Sequence, residues 1–93
     1  MTENAQTVAM QLRQFARANL VAAGINFDEH SRLSEAGIDS YSIVELLLFS
    51  ERTFGVRVPE SHLTHENLAS LNSLAHCIAR LAGDNGSSGS SSR

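Results

Sequence analysis

The sequence predicts an all-α fold: a small bundle of three main helices plus one short helix, with a long first loop. Two observations carry that expectation. Apolar residues recur at helical spacing in three segments, and residues that start or stop helices bracket those segments. Length sets the scale, because 93 residues with 42% hydrophobic content suffice for one small core and not for two. Residues 1–83 are therefore expected to form a single domain. Four Phe, one Tyr and no Trp leave that core to be built from Leu, Ile, Val and Ala.

The first helix is expected over residues 2–23. Ala5, Val8, Leu12, Phe15, Ala16, Asn19, Ala22 and Ala23 fall near one face, with Gln6, Arg13, Gln14 and Arg17 largely opposite. Gly24 is the expected stop. Residues 24–39 form a long connection whose apolar members Ile25, Phe27, Leu33 and Ile38 show no sustained period. They read as anchors pinning an ordered loop, and a loop this long in a small domain is usually functional when it is not disordered. Asp28, Glu29, Glu35 and Asp39 against a single Arg32 make the approach to Ser40 acidic.

The loop ends at Asp39-Ser40, where a strongly apolar run begins, so Ser40 stands at the start of a second helix reaching about Phe54. This helix has too many apolar residues for one face. At about 100° per residue, Ile43, Leu46, Leu47, Ser50 and Phe54 form a core stripe. Tyr41, Val44 and Leu48 cluster roughly opposite, flanked by Glu45, Glu51 and Arg52, and are expected to face outward toward a partner.

Gly55 ends the second helix, and Pro59 biases Val58 to extended backbone. Leu63 and Leu68 are expected to anchor a short helical turn within residues 60–68. Ser70 is the expected N-cap of the last helix, in which Leu71, Leu74, Ala75, Ile78 and Leu81 recur at helical spacing before Gly83 stops it. The polar run from Asp84 to Arg93 is expected to be a disordered tail.

Several function classes are disfavoured by the same residues. A net charge of -3, with seven Arg and no Lys, lacks the clustered cations of a nucleic-acid footprint. Cys77 is the only cysteine, so no internal disulfide is possible and a reducing, cytoplasmic setting is expected. The first 23 residues lack the unbroken apolar stretch of a signal peptide, and no segment approaches membrane-spanning length. His62 and His65 stand at i, i+3 without a completing ligand set, so no metal is expected. His76 and Cys77 point about 100° apart on a helix and do not face each other. Cys77 reads as a small hydrophobe and His30 as a solvated loop residue. No His lies near Ser40 in sequence to act as its base, which disfavours catalysis.

Gly37-Ile38-Asp39-Ser40-Tyr41, followed by Val44-Glu45-Leu46 and later by Phe54-Gly55-Val56-Arg57-Val58-Pro59, resembles an acyl carrier protein, a family with Asp-Ser-Leu at the start of its second helix. The likeness covers roughly residues 8–81. It implies the carrier-protein four-helix bundle, with Ser40 bearing a 4'-phosphopantetheine arm through a phosphodiester and Asp39 as its motif neighbour. The implied donor is coenzyme A, through a phosphopantetheinyl transferase. The cargo would be a thioester on the arm, and the carrier itself would catalyse nothing. The residues alone leave a plainer alternative open, in which Ser40 or Asp39 is only an N-cap. A helix start nevertheless suits a phosphate, because its amides are unpaired and its dipole is positive there.

The resemblance also implies partners: an acyl- or aminoacyl-loading ligase and downstream biosynthetic enzymes, met by a monomeric carrier. Glu45 and Glu51 match acidic positions that the family offers to basic partner enzymes, and Ser42 does not. Tyr41 replaces the usual Leu, and Arg52 stands where fatty-acid carriers usually have an acidic residue. These departures point to a specialised fatty-acid or polyketide-type pathway rather than housekeeping lipid synthesis. Leu46-Leu47-Leu48 and the Phe-Gly-Val exit are also similar to aminoacyl carriers, so an aminoacyl or peptidyl carrier is the alternative. An unmodified interaction module presenting Tyr41, Val44 and Leu48 is the alternative of a different class.

Overall fold

The computed structural model describes residues 4–87. Its elements are α1 (Ala5–Asn19), a 3-10 turn (Ser34–Ala36), α2 (Ser40–Phe54), a second 3-10 turn (Glu60–His62) and α3 (Leu71–Ser87). The expected small all-helical bundle is present, and its main contact is between α1 and α3.

Asn4 caps α1, its side-chain oxygen accepting the Thr7 amide at 2.8 Å. Val8, Ala9, Leu12 and Ala16 form the buried stripe. The helix ends at Asn19 and not at the expected Gly24. The Leu20 and Val21 amides both donate to the Ala16 carbonyl, at 2.7 and 2.9 Å. The Asn19 side-chain amide donates to the Phe15 carbonyl at 3.0 Å. The Val21 amide thus reaches back five residues to a carbonyl that Leu20 already shares, which breaks the four-residue spacing of the helical ladder. Leu20 and Val21 then pack against the core, while Asn19, Ala22 and Ala23, expected on the core face, are exposed. Gly24, at φ 91°, serves the turn that follows.

The first loop is ordered by what it is tied to. Phe27, Leu33 and Ile38 are buried as expected, whereas Ile25 is 45% exposed and anchors nothing. Arg17 Nη1 donates to the Phe27 carbonyl at 2.9 Å, and Arg13 Nη1 pairs with Glu29 Oε1 at 3.3 Å. On the other side the Leu33 amide donates to the Ala69 carbonyl at 3.0 Å and the Asn72 amide to the Glu29 carbonyl at 2.7 Å. Backbone polar groups that would be costly to leave unpaired are thus satisfied across the loop. The Arg13–Glu29 pair is partly exposed and adds at most about 1 kcal/mol.

In α2 only Leu46 and Ser50 are fully buried. Ile43, Leu47 and Phe54, assigned to the core stripe from sequence, are partly buried and pack at its edge. Phe49 was not on that stripe, yet its ring stacks on Phe15 of α1 at 4.5 Å between centroids and meets Phe54 edge-on at 6.1 Å. Aromatic pairing across α1 and α2 rotates the contact toward Phe49 and leaves Leu47 on a flank.

The second connection is less helical than expected. Beyond His62 the chain runs as turns, held by Asn67, whose amide donates to Thr64 Oγ1 at 3.1 Å and whose side chain donates to the His62 carbonyl at 2.8 Å. Ser70 Oγ accepts the Ser73 amide at 3.1 Å, which opens α3 as expected. Leu71, Leu74, Ala75, Cys77 and Ile78 line its buried side. Gly83 does not stop α3, which continues to Ser87. An interior Gly costs about 1 kcal/mol but does not forbid helix, and Gly83 is not among the positive-φ glycines that end a segment here. The remainder of the expected tail lies outside the described residues.

Candidate functional site

Local geometry delivers Ser40 to the surface. Gly37 takes a left-handed conformation, φ 81°, that closes the 3-10 turn, a conformation open to glycine at no steric cost. Ile38 is then buried, its amide donating to the Leu33 carbonyl at 3.0 Å. Asp39 follows in extended conformation and caps α2: its Oδ1 accepts the Ser42 amide at 3.0 Å, and its carbonyl accepts the Ile43 amide at 2.9 Å. The Ser42 hydrogen bonds hold the Asp39 carboxyl below its ordinary range. Asp39 takes the cap, so Ser40, the exposed first residue of the helix, keeps its hydroxyl out of that role.

Ser40 also stands on the rim of a groove of about 410 Å³. Leu33 and Ile38 from the first loop, Ile43, Val44 and Leu47 from α2, and Leu63 and Leu68 from the second connection supply its apolar wall, with Ser34, Asp39 and Ser40 at its polar end. Sequence reasoning did not bring these residues together. The only available signal was the absence of period among the loop anchors, which identifies them as buried and does not say against what.

The outward face of α2 is as expected. Tyr41, Val44 and Leu48 are 72%, 51% and 49% exposed, and Glu51 and Arg52 are exposed beside them. Glu45, half-buried, stands one turn after Tyr41 and holds the phenol above its ordinary range by a hydrogen bond and by its charge. The acidic approach is more dispersed than its sequence suggests. Asp28 accepts the His30 amide at 2.8 Å within its own turn, and that bond lowers its carboxyl. Glu29 is engaged with Arg13.

The other candidates are placed apart from this site. Cys77 is buried, and burial pushes its thiol up against the smaller opposing charge of Arg80. His62 Nδ1 lies 3.4 Å from Ser61 Oγ on the second 3-10 turn. Among the described residues no group of three or more His, Cys, Asp or Glu side chains is placed to hold a metal, and no helix is long and apolar enough to cross a membrane. A hollow of about 570 Å³ between the start of α1, the first loop and α3 is rimmed by Arg13, Glu29, His30 and His76. The Arg13–Glu29 pair that fastens the loop is part of its lining.

The residues around Ser40 fit a phosphodiester-linked arm. An exposed hydroxyl at the first helical position is accessible to a transferase, the α2 amides ahead of the first intrahelical bond favour a phosphate, and an apolar groove opens at the same point.

Residues 11–78 match the family described as PP-binding, phosphopantetheine attachment site. No curated protein matches the chain. Among solved structures, a chain in the crystal structure of Bradyrhizobium japonicum glycine:[carrier protein] ligase complexed with glycylated carrier protein superposes with a TM-score of 0.61 at 24% identity, covering 80% of this chain and 97% of that one. A chain in the complex of the same ligase with cognate carrier protein and an analogue of glycyl adenylate gives 0.59 at 23% identity, covering 80% and 92%. Those two likenesses show a shared fold, whereas the family match spans most of the three-helix core and fixes the cofactor as covalent 4'-phosphopantetheine. On that match this chain belongs to the phosphopantetheine attachment family, the family of the acyl carrier proteins.

Proposed function

We propose that Ser40 is the attachment residue and that the chain carries an acyl intermediate between enzymes of a specialised fatty-acid or polyketide-type pathway. The observation that carries this reading is the placement of Ser40: exposed, first in α2, beside the Asp39 cap and on the rim of the apolar groove. The arm supplies a terminal thiol that holds cargo as a thioester. Everything else is done by the chain. Ser40 Oγ attacks the pantetheine-bearing phosphorus of coenzyme A; the new O–P bond forms as the pyrophosphate P–O bond breaks, adenosine 3',5'-bisphosphate leaves, and the serine proton goes to a base of the transferase. Asp39 fixes the first turn of α2 and so the direction in which that hydroxyl projects. Ile43, Val44 and Leu47 offer an apolar wall to whatever is joined to Ser40. Tyr41, Val44 and Leu48, between Glu45 and Glu51, form the face presented to a loading ligase and to downstream enzymes.

The test is intact-mass analysis after incubation with a broad-specificity phosphopantetheinyl transferase and coenzyme A. One arm should be added to the unaltered chain and none to Ser40→Ala. Modification of the alanine variant would show that the site is elsewhere. An unmodified chain under conditions that load a control carrier would favour the interaction-module reading. Because Asp39 retains the cap, Ser40→Ala should cost at most about 1 kcal/mol, the scale of a lost cap.

An aminoacyl cargo is the second reading. Two observations support it: the likeness to a structure that contains a glycylated carrier protein, and the packing of Leu46, Leu74 and Ile78, all 0% exposed, which a short cargo outside the helices would leave undisturbed.

A further inference from the structure

A thioester is an activated acyl group, and any nucleophile of its own chain that reaches the carbonyl competes with the intended acceptor. A free amine attacks the carbonyl carbon, the C–N bond forms as the C–S bond breaks, and the departing thiolate takes the amine proton. The resulting amide is permanent. This chain's seven basic side chains are all arginine. A guanidinium stays protonated in proteins and has no lone pair to offer. The only thiol, Cys77, is 1% exposed on the core side of α3, where burial also disfavours the thiolate that would exchange with a thioester. Beside Ser40 the exposed hydroxyls are the Ser34 alcohol, a weak nucleophile without a base to activate it, and the Tyr41 phenol, which Glu45 holds above its ordinary range. The four imidazoles take an acyl group only in passing, because an acyl-imidazole returns it to water.

We infer that the chain's own side chains are kept free of permanent acyl acceptors, so that a loaded thioester is lost to water or to a partner enzyme and not to a side chain of the carrier. The inference rests on Ser40 as the attachment residue.

The experiment loads the chain from acetyl-coenzyme A with a broad-specificity transferase, holds it at pH 9, and maps acetyl groups that survive hydroxylamine. Two variants supply the missing amine. Ser34→Lys places it on the groove that Ser40 borders, and Arg52→Lys exchanges cation for cation twelve residues along α2, about 18 Å away. At pH 9 about 4% of an ordinary lysine is free amine, roughly two to three orders of magnitude more than an arginine. The unaltered chain should lose its thioester at the rate of acetyl-coenzyme A in the same buffer and gain no side-chain amide. Ser34→Lys should accumulate hydroxylamine-resistant acetyl at least roughly tenfold above the unaltered chain, given that free-amine fraction. A side-chain amide or an acetylated Cys77 in the unaltered chain overturns the inference. So do lysine variants that both stay as clean as the unaltered chain. A chain that takes no acetylated arm, or takes one with Ser40→Ala, sinks the Ser40 reading itself and this inference with it.

Discussion

The α1–α3 pair and α2 divide the work of this molecule. On α1 the side chains of Val8, Ala9, Leu12 and Ala16 are buried, and on α3 those of Leu71, Leu74, Ala75, Cys77 and Ile78. The helix between them in sequence buries only Leu46 and Ser50 and exposes Tyr41, Val44 and Leu48. Hydrophobic burial therefore holds the first pair together, whereas α2 is held at a few points and keeps apolar surface for something else. A helix made of good core residues is not necessarily a core helix. The element that carries Ser40 is the one least committed to the core.

The sharpest way to break that division is to truncate leucines on each side of it. Leu12→Ala and Leu74→Ala remove side chains that are 0% exposed and should each cost about 2 to 5 kcal/mol. Leu46→Ala should fall in the same range, since Leu46 is the one large α2 side chain at 0% exposure. Leu47→Ala, which its position in the sequence pattern marks as an equal of Leu46, should cost clearly less, on the order of 1 to 2 kcal/mol, because Leu47 is half-buried on the groove wall. Urea melts of the four variants decide it. If Leu47→Ala is as costly as Leu46→Ala, the groove is part of the core and the division fails.

Cargo offers the next test, read as the melting temperature of a series of saturated acyl thioesters. If α2 yields enough for the groove to take an apolar chain, each buried methylene should stabilise by roughly 0.8 kcal/mol, less the cost of repacking. The curve should rise with chain length and then level off. A flat series would place the cargo outside and favour the aminoacyl reading.

Much of this division was legible in the sequence. The outward trio was given by period alone, because Tyr41, Val44 and Leu48 repeat at i, i+3 and i+7 on a helix whose opposite face was already filled. Ser40 at a helix start was legible from Gly37 and Asp39, whose conformational preferences are local. What failed depended on contacts between distant segments. Leu20 and Val21 end α1 early by turning toward the core, and no local signal distinguishes them from Ala22 and Ala23. Phe49 is recruited by Phe15, 34 positions earlier in the sequence. Arg13 and Arg17, which spacing places only as opposite the apolar face of the first helix, clasp the first loop.

Partner binding should separate apolar from charged contributions on the α2 face. Leu48→Ala and Tyr41→Ala should chiefly speed dissociation from a loading ligase, because the buried apolar contact sets residence time. Glu51→Lys should slow association with a basic partner and weaken its salt dependence. Neither class should unfold the domain, since these side chains lie off the core. Stopped-flow association and dissociation rates, set beside melts of the same variants, check both statements. Loss of stability in Leu48→Ala comparable to Leu46→Ala would mean that the outward face has been drawn on the wrong side of the helix.

The smallest effect lies where α2 begins. Asp39 holds the Ser42 amide more strongly as a carboxylate than as a neutral acid, and its folded pKa lies below the ordinary value of about 3.9. A carboxyl with a depressed folded pKa contributes stability that is fully present above its unfolded pKa and is lost as pH falls through the folded one. The α2 start should therefore loosen below about pH 4, the ordinary carboxyl range, while the α1–α3 pair has no carboxylate cap to lose at its own ends, which Asn4 and Ser70 close. Asp28 shifts in the same direction through its bond from His30, so global stability mixes the two. A residue-specific probe separates them: the Ser42 amide resonance should titrate with Asp39, and Asp39→Asn, which keeps a capping oxygen, should remove that titration and leave the His30 amide titrating with Asp28. A Ser42 amide indifferent to pH in both proteins would mean that Asp39 does not cap α2 in solution, and that something else sets the direction of Ser40.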